Sequence, residues 1–214
     1  MSRRRGPAQP AFFIAFFSTR LRAVWVGLGL PLLLLLTTGC STSTSRPRNP
    51  EDLCAIFQEK SDWHEAAQKM SKKWGTPPQV PMAMMYQESS FKYDAQPPMR
   101  YFLFIPLGRP SSAYGFAQVK DETWADYRRE TGNSWADRDD FADAIDFMGW
   151  YTWKAQKVNG VSKWDAYRQY LNYHEGWGGY RRGSYKNKAW LMSTARKVEA
   201  RASRYAAQYR QCTL

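Results

Sequence analysis

Histidine is scarce in this 214-residue chain: His64 and His174 are the only two. Each is followed by glutamate, as at the start of a His-Glu-x-x-His zinc site, but Gln68 and Gly178 stand where the second histidine belongs. No metal site and no cofactor are therefore expected. No glycine-rich phosphate loop is present, and no Gly-x-Ser-x-Gly context surrounds Ser89 to make it a nucleophile. Cysteine is also rare, at positions 40, 54 and 212. The longest apolar run, Ala23 to Leu36, falls short of the roughly twenty residues that a membrane-spanning helix needs. Downstream there is no heptad, no low-complexity block and no repeat of alternating strands.

What is there begins with targeting. Arg3, Arg4, Arg5, Arg20 and Arg22 precede the apolar run, and Thr37-Thr38-Gly39-Cys40 follows it. That order is the outline of a signal peptide over residues 1–39. Leu36 to Cys40 resembles a bacterial lipobox, which implies acylation of Cys40 and a membrane held through an N-terminal lipid. Ser41 after the cysteine, by the sorting pattern of such lipoproteins, implies the outer membrane of a Gram-negative cell, facing the periplasm. Residues 40–49 are polar and turn-prone and are expected to form a flexible tether. The apolar patch Phe12 to Phe17, upstream of Arg20, belongs to none of this.

Residues 50–214 are enough for one domain with a proper core. The whole chain carries +12, and from Cys40 onward 26 Lys and Arg face 19 Asp and Glu, leaving +7. A basic surface suits an anionic partner. Export directs that preference to acidic membrane or to the anionic peptidoglycan mesh rather than to nucleic acid. Ten Trp and thirteen Tyr suit stacking on sugar rings as well as an aromatic core. Cys54 and Cys212 lie at either end of this domain in a compartment that permits disulfides, so they are expected to pair.

The fold class expected is mainly α. Asn49-Pro50 reads as a helix cap followed by proline at the first helical position. Ser61 and Asp62 start a second helix that ends near Trp74-Gly75. Pro81 opens a short, almost wholly apolar third, Met82 to Ser90. Segment 92–113, rich in proline and aromatics, reads as an elaborated loop in which Tyr101 to Ile105 has the character of a short strand. Further helices are expected at 121–131, 138–158, 162–174 and 188–210, the last with Leu191, Ala195, Val198, Ala202 and Tyr205 on one face.

Gln87-Glu88-Ser89-Ser90-Phe91 places a carboxylate in the last turn of a buried helix. Desolvation disfavours the charged form and raises the pKa, as a general acid working near neutral pH requires. Alone this is weak, since most glutamates at helix ends are simply solvated. Two further sites follow, Tyr114-Gly115-Phe116-Ala117-Gln118-Val119 and Asn172-Tyr173-His174-Glu175-Gly176. In this order the three resemble the motif set of lytic transglycosylases with the SLT (lysozyme-like) domain: Glu-Ser-x-Phe, Gly-Leu-Met-Gln and Ala-Tyr-Asn-x-Gly. Three departures accompany the resemblance. Phe116-Ala117 replaces Leu-Met, His174 replaces Asn, and the interval from Glu88 to Gly115 is long.

The resemblance implies a lysozyme-like domain of about seven helices that binds peptidoglycan glycan strands. It makes Glu88 the catalytic acid and base, Ser89 a supporting hydroxyl and Phe91 a packing residue. Gly115 allows a close backbone approach, Gln118, Tyr173 and His174 meet the saccharide, and Gly176 ends a helix. The reaction implied is cleavage between N-acetylmuramic acid and N-acetylglucosamine with a 1,6-anhydro product, which needs no second carboxylate. Ordinary glycosidases need one at about 5–9 Å. Asp94, Asp143, Asp146 and Glu175 are the candidates, each with a plainer structural explanation. A hydrolytic muramidase and a non-catalytic wall-binding lipoprotein remain open beside the lyase, and no particular protein partner is indicated.

Overall fold

A computed structural model describes residues 44–214; the expected signal peptide, Cys40 and the start of the expected tether lie outside the described residues. The rest of the expected tether is not free of the domain. Pro47 is buried, Lys60 Nζ donates to Ser45 Oγ at 2.7 Å, and the Arg48 N–H donates to Glu59 Oε2 at 2.9 Å.

Among the described residues there are seven α-helices and one two-stranded hairpin. The helices are α1 (Leu53–Glu59), α2 (Ser61–Trp74), α3 (Gln79–Ser89), α4 (Asp121–Thr131), α5 (Phe141–Asn159), α6 (Ala166–Arg182) and α7 (Ala189–Arg210). The hairpin joins β1 (Arg100–Phe102) to β2 (Ile105–Gly108) inside the long loop between α3 and α4.

Aspartate caps set the start of three of the seven helices. The α1 cap is Asp52, not Asn49: its carboxylate accepts from the Cys54 and Ala55 N–H groups at 2.9 and 3.2 Å. Asp140 and Asp165 cap α5 and α6 in the same way, which moves both starts inward from 138 and 162. α3 begins at Gln79 rather than Pro81. Pro81 is its third residue, where the missing N–H has no intrahelical acceptor to lose. α6 runs past the expected end at 174, but Gly176 (φ 70°, ψ 163°) breaks it, so a second short stretch continues at an angle to Arg182.

α3 is the buried centre, packed against α5, α6 and α7, with every residue from Gln79 to Met85 inside. α2 lies on α5, and Gly149 sets how close they come: a Cβ there would sit 2.6 Å from the Met70 and Trp74 side chains. An aromatic cluster fills the space beneath, with the Trp63 and Phe141 rings stacked at 3.9 Å. Among the described residues every core residue lies between Leu53 and Tyr205, within the compact unit that begins at Cys40, so residues 44–214 hold this core by themselves. The ends are fastened together. Cys54 and Cys212 form the expected disulfide, with Cα atoms 5.4 Å apart, and Gln208 holds Leu53 N–H and Glu51 C=O at 3.0 and 3.1 Å.

Candidate active site

Glu88 stands one residue before the end of α3, where the chain reverses sharply. Ser90 (φ 50°) and Phe91 (φ 61°) are both in the left-handed region that non-glycine residues avoid. Phe91 compensates by burying its ring completely, 5.8 Å from both Trp63 and Tyr86. A strained turn persists where its surroundings over-determine it. The reversal leaves Glu88 half-buried, with its carboxyl facing a cleft rather than open solvent.

The second motif forms a tight loop opposite. The Tyr114 N–H donates to Val119 C=O at 3.2 Å, and the Gln118 N–H to Gly115 C=O at 3.3 Å. Gly115 (φ 75°) lies so close to Arg138 that a Cβ would meet its carbonyl oxygen at 2.1 Å, so any side chain would force the loop open. Gln118 is itself left-handed, at φ 50°. Its amide nitrogen donates to the carbonyls of Ala95 at 2.7 Å and Gly115 at 3.0 Å, stitching this loop to the segment after Glu88.

α6 supplies the remaining wall. Tyr173 donates its hydroxyl to Ala117 C=O at 2.5 Å, fixing α6 to the second loop. One turn earlier, Tyr170 donates to the Glu88 carboxylate. The motifs did not mark Tyr170, although three-residue spacing places it on the same helix face as Tyr173. Burial pushes the Glu88 pKa up to about 7, and the Tyr170 hydrogen bond, which favours the carboxylate, offsets only part of that. Burial and the nearby Glu88 hold Tyr173 well above the usual tyrosine range, so it stays a neutral donor.

Glu88, Gln118, Tyr173 and His174 line one open cavity of about 420 Å³, floored by Phe147 and Tyr151. Three of the four residues expected to bind substrate are thus brought together with Glu88. Ser89 is not among them: it is buried, and its hydroxyl donates back to Met85 C=O at 3.3 Å. Lys120 and Glu122, at the start of α4, also line the cavity and were not singled out from the sequence.

Of the four spare carboxylates, only Glu175 reaches this cavity. Asp146 accepts from Lys73, Trp74 and Tyr127, each at 2.8 Å, and Asp143 accepts from Asn133 and the Asp137 N–H, so both brace the fold. Asp94 pairs with Lys92 at 3.4 Å. Glu175, its side chain only 4% exposed, is held by Lys188 at 2.7 Å, by His174 at 3.0 Å and by Ser184. Burial alone would raise its pKa; the hydrogen bonds from Lys188, Ser184 and His174 overcome that and bring it to about 2. His174 is thereby oriented at the rim, edge-on to the exposed Trp190 ring at 5.1 Å.

Among the described residues no group of three or more His, Cys, Asp or Glu is placed to hold a metal ion. The cleft therefore offers one carboxyl poised near neutrality, one fixed anion and a wall of aromatic hydroxyls. No curated protein matches the chain. The family model described as "Transglycosylase SLT domain" matches residues 28–212, which takes in all three motifs and the whole helical domain. On that match, and with a mainly helical lysozyme-like fold around the Glu88 cleft, the chain belongs to the transglycosylase SLT domain family, whose members act on peptidoglycan in the cell envelope.

Proposed function

We propose that the protein is a peptidoglycan lytic transglycosylase that cuts the β-1,4 bond between N-acetylmuramic acid and N-acetylglucosamine, with Glu88 as both acid and base. The observation that carries this reading is a cleft carboxyl with a pKa of about 7 and one hydroxyl partner, because near neutral pH such a group gives and takes a proton with similar ease.

In the first half of the reaction protonated Glu88 gives its proton to the glycosidic oxygen, and the bond from that oxygen to muramoyl C1 breaks. In the second half the Glu88 carboxylate takes the proton of the muramoyl C6 hydroxyl as that oxygen bonds to C1. The products are a 1,6-anhydromuramoyl end and a free N-acetylglucosamine 4-hydroxyl. Tyr170 orients the carboxylate through its hydrogen bond. Tyr173, tied to Ala117 C=O, holds the second loop against α6, and Gln118 and His174 contact the saccharide from the lining.

A hydrolase sharing this cleft would need a second carboxylate to activate water or to attack C1. Glu175 is ill suited, because its oxygens already serve Lys188, Ser184 and His174. Glu122 is the other carboxylate on the lining, and it favours the hydrolytic reading as far as any residue does. The lipid at Cys40 and the outer-membrane location belong to the same proposal: an enzyme held at the membrane by its N-terminus and reaching into the wall.

The test is to digest purified sacculi with residues 44–214 and with E88Q, and to identify sugar termini by mass spectrometry. Anhydromuramoyl ends from the parent alone support the lyase. Reducing ends would make the protein a hydrolase and direct attention to Glu122. Sedimentation with sacculi without any fragment release would make it a wall-binding lipoprotein.

A further inference from the structure

The hairpin has a composition that an ordinary surface loop lacks. Tyr101, Phe102, Leu103, Ile105 and Leu107 are each more than 60% exposed, and Phe104 is 96% exposed. Successive residues of a strand point to opposite sides. Since neighbours Tyr101 and Phe102 are equally bare, neither face of the ribbon is packed on the domain. A seven-residue apolar run that ordinary folding would cover is instead held away from the core. Exposed patches of this kind mark a binding surface.

Charge indicates what covers it. Arg100 and Arg109 bracket the apolar run at the base of the hairpin, and Lys120 follows. No acidic residue occurs between Asp94 and Asp121. The base is stiffened by Pro97, Pro98 and Pro110, and Arg109 donates to Pro97 C=O across it. A protein groove would cover one face of a ribbon and leave the other wet. A bilayer accepts both faces, with aromatic rings at the boundary and the arginines among anionic headgroups.

We propose that this hairpin is a membrane-contacting element, which seats its Leu103-Phe104 tip and flanking aromatic side chains in the surface of an anionic lipid bilayer. It would form a second contact with the membrane, separate from any N-terminal lipid. Penetration is limited to the interface, because the outer edges of a two-stranded ribbon keep unpaired backbone groups that hydrocarbon would not satisfy. The proposal does not rest on Glu88 turnover.

The test is flotation of residues 44–214, which lack Cys40, with vesicles of phosphatidylethanolamine and phosphatidylglycerol, and with vesicles of phosphatidylcholine alone. The parent is expected to float with the anionic vesicles and much less with the neutral ones. In the F102S/F104S variant vesicle partition should fall by about tenfold for each ring removed. Its melting temperature and sacculus digestion should be unchanged, since both rings are exposed and outside the cleft lining. A parent that stays with the soluble fraction, or a variant that floats equally well, overturns the proposal. Two other results overturn it by naming a different occupant. Self-association of the parent in light scattering that the variant abolishes would assign the hairpin to a second copy of the chain. Loss of sacculus digestion with vesicle binding retained would assign it to the glycan strand.

Discussion

The two sides of the cleft treat a glutamate in opposite ways. At the end of α3, Glu88 is enclosed with one hydroxyl partner, and its pKa rises to about 7. At the break in α6, the Glu175 side chain is also withdrawn from solvent but receives hydrogen bonds from Lys188, Ser184 and His174, and its pKa falls to about 2. Burial acts in the same direction on both. The number of donors, and the positive charge on one of them, decides which carboxyl carries a proton at neutral pH. An apolar helix ahead of Glu88 is visible in the sequence, but only proximity in space brings Lys188 and Ser184 to Glu175 and makes it a fixed anion.

The contrast can be broken most severely at Glu88. E88Q should reduce fragment release from sacculi by roughly 10²–10⁴, the range of a lost general acid, as read by mass spectrometry of the soluble muropeptides. Should release persist within a few-fold of the parent, the proton carrier is another group.

The same variant tests the cost of the elevated pKa. The raised value means that the folded state binds the Glu88 proton more tightly than the unfolded state. Its stabilising contribution is therefore full below pH about 4.5 and is lost as pH rises through 7. E88Q should accordingly be more stable than the parent by about 3 kcal/mol at pH 8, with the gain vanishing near pH 4.5. Calorimetry across that range checks the sign as well as the size.

Y170F sharpens the comparison by taking away the hydroxyl that favours the Glu88 carboxylate. The tyrosine favours the carboxylate, so its loss should move the alkaline limb of the pH–rate profile, where protonated Glu88 is lost, upward and lower kcat by about tenfold, with KM little changed. A purely structural role would lower thermal stability and leave the limb in place.

The smallest effect is expected at the other carboxyl. Glu175 has a depressed pKa, so its contribution to stability is present above pH about 4.5 and declines as pH falls toward 2. K188M should flatten that acid-side decline and cost about 1 kcal/mol at pH 7, a modest value because Lys188 is 40% exposed and partly screened. Chemical denaturation at the two pH values measures both.

Much of this architecture is legible in the sequence. α4 spans Asp121 to Thr131 as expected, because it is amphipathic and Gly132 stops it in the left-handed conformation. The start of α3 is less legible, since proline is tolerated through the first turn and so does not mark its first residue. The cluster Gly176, Gly178 and Gly179 reads as a terminus, whereas only Gly176 leaves helical geometry. In the 92–113 loop the expected single strand is a hairpin. Its turn places Leu103 at φ 54°, where glycine, asparagine or aspartate would ordinarily announce the reversal. Among the cleft residues, Glu88, Gln118 and Tyr173 can be read from motif order. Tyr170 and Glu122 carry no motif and become visible only when α6 packs on α3 and α4 on α5.

The disulfide between Cys54 and Cys212 gives the molecule a mechanical property. Force applied to the chain ahead of residue 44 reaches α1 first, a helix of seven residues that would peel away easily by itself. With Cys54, the second residue of α1, bonded to Cys212 just beyond the end of α7, that load passes directly toward the longest helix, and Gln208 and Tyr205 share it through their bonds to Glu51, Leu53 and Pro50. Tension on the N-terminus is thus borne by a 22-residue helix that packs on both α3 and α6.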